Sequence, residues 1–311
     1  MMELVVISGK GGTGKTSLLA SLAVLAHDAV VADCDVDAPD LHLVLDPSEI
    51  QRHDFISGFS AVVEPDRCTG CGLCESHCRF AAVSCPADGT AVFHPLACEG
   101  CGVCARVCPE EAIRMVPRHA GEWVVSRTRC GPLVHARLEV GGSSSGRLVA
   151  VVRQQARTIA QLERRDLVLV DGPPGVGCPV IASLTGASAV LVVTEPTPAG
   201  AHDLARVLEL AGHFKVPAAV CVNRWDLHPE GTDTIEAQAR RSGASVAGRV
   251  RYDPQVTAAQ VAAVSVVEHG GGAADDIVGL WASLRALWPD LAAARPLQAR
   301  ASATELPMVQ S

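Results

Sequence analysis

The chain has 311 residues, of which 48% are hydrophobic and 19% are charged, and it carries a formal net charge of −8. This composition is too apolar for a disordered chain, and no apolar run is long enough to span a bilayer. Nucleic-acid binding requires clustered basic charge, whereas the arginines of this chain are scattered. We therefore expect a globular protein with no nucleic-acid partner and no stable membrane association.

The thirteen cysteines are the most unusual feature of the composition. The first residues lead directly into an apolar run and lack the basic start and cleavage site of a secretory signal, which predicts a cytoplasmic protein. Cysteines in a reducing compartment seldom form structural disulfides. Nine of the thirteen lie between Cys68 and Cys108, and this concentration favours an explanation such as metal binding.

The predicted elements alternate between strands and helices. The first strand, 4–8, enters a glycine-rich loop that is followed by leucines at helical spacing. Further strands are predicted at 29–32, 167–170, 189–193 and 218–222, and further helices at 146–165, 199–213 and 274–288. This alternation predicts an α/β fold with a mainly parallel sheet, in which ligands bind at the carboxyl ends of the strands.

A cysteine-rich block interrupts the alternation and is predicted to be an inserted domain. Short strands are expected after it, at 122–129 and 132–140. The predicted division is a first part of the α/β domain at 1–63, the insert at 64–117, the second part at 118–290 and a flexible tail at 291–311.

Residues 9–16 match the phosphate-loop pattern G-x-x-x-x-G-K-[ST], with a predicted strand before them and a predicted helix after them. In this motif the backbone N–H groups surround the phosphates, the lysine contacts the β- and γ-phosphates, and the hydroxyl binds Mg²⁺. The alternative, a tight glycine turn without a ligand, is disfavoured by the flanking elements. The predicted nucleotide-binding residues here are Gly9, Lys10, Gly11, Gly12, Thr13, Gly14, Lys15, Thr16 and Ser17.

The second lysine of this loop, Lys10, makes it resemble the deviant Walker A loop of the MinD/ParA and nitrogenase iron protein superfamily. The resemblance implies a homodimer in which Lys10 contacts phosphate in the opposite subunit and stabilises charge on the γ-phosphoryl group. Asp35 matches the switch I aspartate that orients the attacking water, and Asp171 matches the Walker B carboxylate. The implied catalytic residues are therefore Lys10, Lys15, Asp35 and Asp171, with Thr16, Asp35 and Asp171 around Mg²⁺. The alternative for the two aspartates is a role as solvated loop acids.

Residues 223–226, Asn-Arg-Trp-Asp, have two interpretations. They resemble the N-K-x-D sequence that reads guanine in GTPases, and they also resemble the asparagine-containing loop that holds adenine in the MinD/ParA superfamily. Relatives with the lysine equivalent to Lys10 are mostly ATPases. The resemblance therefore favours ATP, with Asn223 contacting the base and Asp226 as a loop acid, while GTP remains the alternative.

Two copies of the bacterial ferredoxin spacing C-x₂-C-x₂-C-x₃-C lie in the cysteine-rich block. In that arrangement the fourth cysteine of each copy reaches the other cluster. The predicted ligands are Cys68, Cys71, Cys74 and Cys108 for the first [4Fe–4S] cluster, and Cys98, Cys101, Cys104 and Cys78 for the second. Zinc is the alternative, since four cysteines also suit zinc. Cys85 lies outside both spacings and is predicted to be a small buried residue or a neighbour of the cluster.

As a whole, the chain resembles the MinD-superfamily ATPases with an inserted two-cluster bacterial-type ferredoxin (α+β) domain. Cys178 follows Asp171 by seven residues, the spacing of the cluster cysteine in the nitrogenase iron protein. The resemblance implies a third cluster shared by two protomers at Cys178, completed by Cys130 or His135. The alternative for Cys178 is a buried thiol. Near Cys130 this family usually has an aromatic residue, and at Arg147 it usually has a lysine.

Two functions are consistent with these motifs. The first is an ATP-hydrolysing protein whose dimer switch gates electron delivery from two [4Fe–4S] clusters to an unidentified redox partner. The second is an ATP-dependent cluster carrier, similar to the Mrp-type proteins, or a metallocluster assembly factor. Eight cysteines in ferredoxin spacing favour electron delivery, because such sets normally hold clusters permanently. Positioning on membrane or DNA is disfavoured, since the residues after Pro289 include no basic amphipathic helix.

Overall fold

The computed structural model describes residues 1–87, 89–140 and 145–293. Its strands are β1 (Met2–Ser8), β2 (Val30–Asp33), β3 (Ser48–Val63), β4 (Val83–Ser84), β5 (Val92–Phe93), β6 (Ile113–Thr128), β7 (Gly131–Leu138), β8 (Leu167–Pro174), β9 (Ala189–Thr194), β10 (Ala218–Asn223) and β11 (Ser245–Val250). Within the described residues, nine of them form one sheet in the order β11-β10-β9-β1-β8-β2-β7-β6-β3, and β4 pairs with β5.

Helices cover both faces of this sheet. They are α1 (Lys15–Ala26), α2 (Leu41–Leu45), α3 (Leu73–Ser76), α4 (Val103–Val107), α5 (Ser145–Leu162), α6 (Cys178–Leu184), α7 (Pro198–His213), α8 (Pro229–Arg241), α9 (Gln255–Val261), α10 (Val266–His269) and α11 (Gly272–Leu287). On one face α1, α2 and α11 contribute to the core, and on the other α5, α7 and α8 do so. Among the residues described, no helix is both long enough and apolar enough to cross a membrane.

The central strands are parallel and almost entirely buried. β1, β8 and β9 are runs of buried, mostly apolar residues, as expected when helices cover both faces of a parallel sheet. Val6 and Asp33 both lie in register with Asp171, so the carboxyl ends of β1, β2 and β8 meet at one edge. The predicted mainly parallel α/β sheet is confirmed, and its edge brings together the residues that follow these three strands.

A long antiparallel pair of strands, which we call the arm, extends from the sheet. β3 and β6 have sixteen residues each and pair from Ser48 and Arg127 to Val63 and Ile113. The sequence predicted only the end of β6 and did not predict β3. The predicted domain boundary between residues 117 and 118 falls inside β6. The division into domains stays a prediction. Of the predicted tail, 291–311, residues 294–311 lie outside the described residues.

The residues between β3 and β6, 64–112, form a small unit that we call the insert. Its backbone conformation repeats after thirty residues. Gly72 and Gly102 both have a left-handed backbone conformation, and they precede α3 and α4 respectively. Ala81 and Glu111 are left-handed at the same offset. The two halves of the insert therefore share the same local backbone conformations. Its core contains cysteines together with a few apolar side chains from the arm and the insert.

Candidate functional site

The phosphate loop connects β1 to α1, and two segments that are distant in the sequence pack closely against it. A Cβ at Gly14, where φ is +84°, would overlap with the Asn223 side chain, and a Cβ at Gly9 would overlap with Asp203 at the start of α7. Glycine is required at both positions, because the chain has no room for a side chain there. Thr13 Oγ1 is buried and has no hydrogen-bond partner among the residues that the structure describes. The loop therefore retains an unsatisfied polar group suited to a phosphate oxygen.

Behind the loop, the predicted catalytic groups converge. Lys15 Nζ donates to Asp171 Oδ1 at 2.6 Å and lies 3.7 Å from Asp35 Oδ2. Thr16 Oγ1 donates to Asp171 Oδ2 at 2.8 Å. Lys15 and Asp171 are 6% and 1% exposed, so this is a buried ion pair. The structure thus brings Lys15, Thr16, Asp35 and Asp171 together, as the sequence predicted for an Mg²⁺–nucleotide site.

Burial and neighbouring charges shift the pKa values of the ionisable groups around Lys15. Burial lowers the pKa of Lys15, but attraction to Asp171 and a hydrogen bond to it, together with attraction to Asp35 and Asp33, outweigh burial, and the net shift is upward. Burial raises the pKa of Asp35, with Lys15 opposing the shift. Burial, followed by repulsion from Asp171, raises the pKa of Asp33 well above its usual range. Asp33 accepts backbone N–H groups of Asp35 at 3.1 Å and Leu41 at 3.2 Å, so it orders the loop after β2.

Lys10 points away from Lys15 within this chain. Its Nζ lies 3.1 Å from Glu195 Oε2, and Arg224 binds Glu195 Oε1. Glu195 is mostly buried at the end of β9. The sequence did not predict that Glu195 pairs with Lys10. The two residues are 185 positions apart, and nothing in the sequence indicates this contact.

The far end of the nucleotide cleft is lined by residues that sequence reasoning identified only in part. Asn223 Nδ2 donates to the Thr13 carbonyl at 2.7 Å. Asp226 Oδ1 accepts the Tyr252 N–H at 2.7 Å, so one of its oxygens already has a partner within the protein. The cleft wall also includes Tyr252, Val256 and Gln260, which were not predicted. Gln260 Nε2 donates to the hydroxyl of Ser17 at 2.8 Å, so Ser17 supports the wall of the cleft.

The cysteines of the insert line two cavities. The first cavity, of about 320 Å³, is lined by Cys68, Cys71, Cys74 and Cys108. The second cavity, of about 340 Å³, is lined by Cys98, Cys101, Cys104 and Cys78. Each set takes its fourth cysteine from the other half of the insert, which is the crossed grouping expected from the spacing. That these cysteines bind iron stays a prediction.

Backbone N–H groups are directed at several of these sulfurs. Ala82 N–H approaches Cys78 Sγ at 3.4 Å, and Ala112 N–H approaches Cys108 Sγ at 3.3 Å. These two contacts are equivalent under the thirty-residue repeat, and such hydrogen bonds stabilise thiolates that ligate metal. Within the described ranges, no three His, Cys, Asp or Glu side chains converge closely enough to hold a single metal ion.

The structure separates the residues proposed for a bridging site. Cys178 is exposed at the start of α6, beyond the carboxyl end of β8, so the alternative that it is a buried thiol is wrong. Cys130 is buried just before β7, beside the start of β2 at the opposite edge of the sheet, because β7 runs parallel to β2. His135 stacks on His42, on the sheet face opposite α6. Within one protomer Cys130 and His135 therefore do not lie beside Cys178, and the bridging site between two protomers stays a prediction.

Comparison with known proteins places the chain in a family. The model of the CobQ/CobB/MinD/ParA nucleotide binding domain matches residues 4–265. The chain belongs to this family. Among the relatives of this nucleotide-binding chain, the uncharacterized protein MJ0578 of Methanocaldococcus jannaschii is 34% identical over 228 residues, 72% of this chain and 78% of the relative. The uncharacterized protein MJ0579 of the same organism is 25% identical over 256 residues, 73% of this chain and 81% of the relative.

Solved structures show that this member of the CobQ/CobB/MinD/ParA family has the MinD fold. The MinD of Pyrococcus horikoshii in complex with Mg-ADP gives a TM-score of 0.53 at 16% identity, covering 92% of this chain and 96% of that protein. The MinD of the Aquifex aeolicus MinC:MinD complex gives a TM-score of 0.56 at 17% identity, again covering 92% and 96%.

Proposed function

We propose that this protein binds and hydrolyses Mg²⁺–ATP and that the nucleotide controls a homodimer, which gates electron delivery from two [4Fe–4S] clusters to a cytoplasmic redox partner. The observation that carries the proposal is the presence, on one chain, of a complete phosphate-loop site and two cavities that each contain four cysteines in crossed sets.

The nucleotide half of the proposal is supported by the groups around the phosphate loop. Lys15 neutralises phosphate charge, the Thr13 hydroxyl has a free hydrogen-bonding position, and Thr16 and Asp171 provide oxygen atoms for Mg²⁺. Asp35 is half-buried beside Lys15, where it can orient a water for attack on the γ-phosphate. The similar MinD of Pyrococcus horikoshii is complexed with Mg-ADP, which favours an adenine nucleotide over GTP.

The cluster half is supported by the donor set. Thiolates are the ligands of iron–sulfur clusters, and each cavity presents four cysteines in ferredoxin spacing. When bound, the clusters supply one-electron transfer. The protein's part is to hold them by eight cysteines, to stabilise the thiolates with N–H groups, and to limit access of water.

A continuous set of strands connects the two halves. Asp33 is the last residue of β2 and Asp35 follows it. β2 pairs with β7, and β7 pairs with β6, whose other end carries the insert. Helix α5 provides a second connection, because Arg147 contacts Ser57 of the arm at 3.5 Å and Gly146 packs against Cys178. Movement of the loop after β2 in response to the γ-phosphate therefore has a packed route to the arm.

The proposal is tested by purification without oxygen, followed by measurement of iron, acid-labile sulfide and ATP hydrolysis. We expect about eight irons per protomer whatever the nucleotide. We also expect electron transfer to an added acceptor protein to be faster with ATP than with ADP. A preparation that folds and binds ATP but holds no iron after reconstitution with iron and sulfide would contradict the cluster half.

A second candidate, cluster transfer between proteins, is favoured by the exposure of Cys178 beside the nucleotide-responsive loop. A four-iron cluster shared by two Cys178 residues would add about two irons per protomer in the presence of ATP. We expect Cys178→Ala to remove only these additional irons if the candidate holds. If electron delivery holds, the variant keeps about eight irons and loses the coupling between hydrolysis and electron transfer.

A further inference from the structure

The first cavity contains a fifth cysteine. Cys85 follows β4 and lines this cavity together with the four predicted ligands. Its sulfur lies 3.6 Å from the sulfur of Cys74, which is van der Waals contact between the two atoms. The Cys85 backbone N–H donates to Glu75 Oε2 at 3.0 Å, so the residue is tied to α3, the helix that carries Cys74. Two thiols are thus held side by side at one corner of the cavity.

The second cavity has no equivalent thiol. Under the thirty-residue repeat of the insert, Cys74 corresponds to Cys104 and Cys85 corresponds to Met115. Met115 lines the second cavity at this position. A methionine thioether cannot become a thiolate, whereas the thiolate is the form of cysteine that binds metal. The two cavities are therefore equivalent in their four cysteines and different in the fifth sulfur.

We propose that Cys85 is a reserve ligand of the first cluster and can replace Cys74 at the same iron atom. In this exchange the Cys85 thiol releases its proton and its sulfur binds the iron, while the Cys74 sulfur leaves the iron and takes up a proton. No electron is transferred. The inference rests on the proposed iron–sulfur function, and it assigns ligand exchange to one of the two clusters.

The test compares alanine variants at equivalent positions of the two halves. We expect Cys74→Ala to hold about eight irons per protomer, as the parent does, because Cys85 takes the vacated corner. The double variant Cys74→Ala/Cys85→Ala and the matched single variant Cys104→Ala should each lose between about one and four irons, since an iron without a thiolate ligand is released. Iron and sulfide analysis, together with the electron paramagnetic resonance spectrum of a three-iron cluster, provides the readout.

A transplanted thiol gives an independent result if Cys74→Ala does not fold. Cys104→Ala/Met115→Cys should recover the irons that Cys104→Ala loses, because the second cavity then has the same five sulfurs as the first. The inference is overturned if the transplant recovers no iron, or if a folded Cys74→Ala loses as much iron as the double variant. A parent protein without iron would instead overturn the proposed function, so the two failures are distinguishable.

Discussion

At the scale of single residues, the position of Lys10 separates two roles for the lysines of the phosphate loop. Lys15 is buried against Asp171, whereas Lys10 is more than a third exposed and pairs with Glu195. In this chain Lys10 Nζ is paired with Glu195 and not with the carboxylates around Lys15. We expect it to leave Glu195 and act on the nucleotide of the partner subunit, while Arg224 keeps Glu195 paired.

Lys10→Gln is therefore expected to lower kcat for ATP hydrolysis by about 10³-fold, the range seen when a cation that stabilises phosphoryl transfer is removed. The Kd for ATP should change little, because Lys15 and the loop backbone remain. The matched control is Lys215→Gln, since Lys215 is the only other lysine in the sequence and is exposed after α7. Equal hydrolysis rates in the Lys10 and Lys215 variants would contradict a role in trans.

His135 provides a pH-dependent contribution to stability. Burial lowers its pKa to about 4, assisted by repulsion from His42 and Arg52, while Glu49 and Glu122 oppose the shift. Its Nδ1 is buried without a hydrogen-bond partner. In the unfolded chain a histidine has a pKa of about 6.5, so between pH 4 and pH 6.5 the unfolded state binds the extra proton. Stability is therefore lost as the pH falls through this window, by at most about 3 kcal/mol.

His135→Phe keeps an aromatic ring against His42 and removes the titrating group. We expect the free energy of unfolding, measured by denaturant titration, to fall less in the variant than in the parent between pH 7 and pH 5. Parallel losses in the two proteins would show that other groups cause the acid sensitivity.

At the scale of elements, the insert is attached to the arm through a contact that requires glycine. Gly100 has φ of +65°, and a Cβ at this position would overlap with the Phe59 carbonyl of β3. Gly102 has φ of +75° but faces open space. Arg118 of β6 also donates to the Cys98 carbonyl at 3.1 Å. The second cavity therefore lies against the arm, where Phe59 of β3 and Arg118 of β6 lie next to the segment that carries its cysteines.

Gly100→Ala should displace the Cys98–Cys101 segment from β3 and release the second cluster, a loss of up to about four irons per protomer. Gly102→Ala is the control, because it adds only the backbone strain of a left-handed alanine, about 1 kcal/mol, without a clash. Iron analysis of the two variants checks the prediction. An intact iron content in Gly100→Ala would mean that the arm contact does not support the second cavity.

At the scale of the whole molecule, the expected action of Lys10 on the nucleotide of the partner subunit requires that two chains meet across the nucleotide. Asp35→Asn removes the group that orients water but leaves the phosphate contacts of the loop. We expect this variant to hydrolyse ATP at least about 10²-fold more slowly and to accumulate as a dimer with ATP. With ADP it should stay monomeric in sedimentation experiments. A variant that remains monomeric with ATP would contradict the proposed switch.

Much of the fold and of the nucleotide site was predictable from local patterns. The buried runs at β8, β9 and β10 and the helical spacing of α7 gave their positions to within a few residues. The arm was not predictable, because only three of the sixteen residues of β3 are buried and its partner residues lie 50 to 79 positions later in the sequence. The short helices α9 and α10 were missed for a similar reason, since they depend on packing against α1 and α11.

The sequence by itself determined the motifs of the protein, because the phosphate loop and the two cysteine runs depend on spacing along the chain. Tertiary structure alone decided which distant groups meet. The Lys10–Glu195 pair, the Asp226–Tyr252 contact and the two cysteine cavities all join segments that the fold brings together. The separation of Cys130 from Cys178 was decided in the same way, because the parallel pairing of β7 with β2 assigns these residues to opposite edges of the sheet.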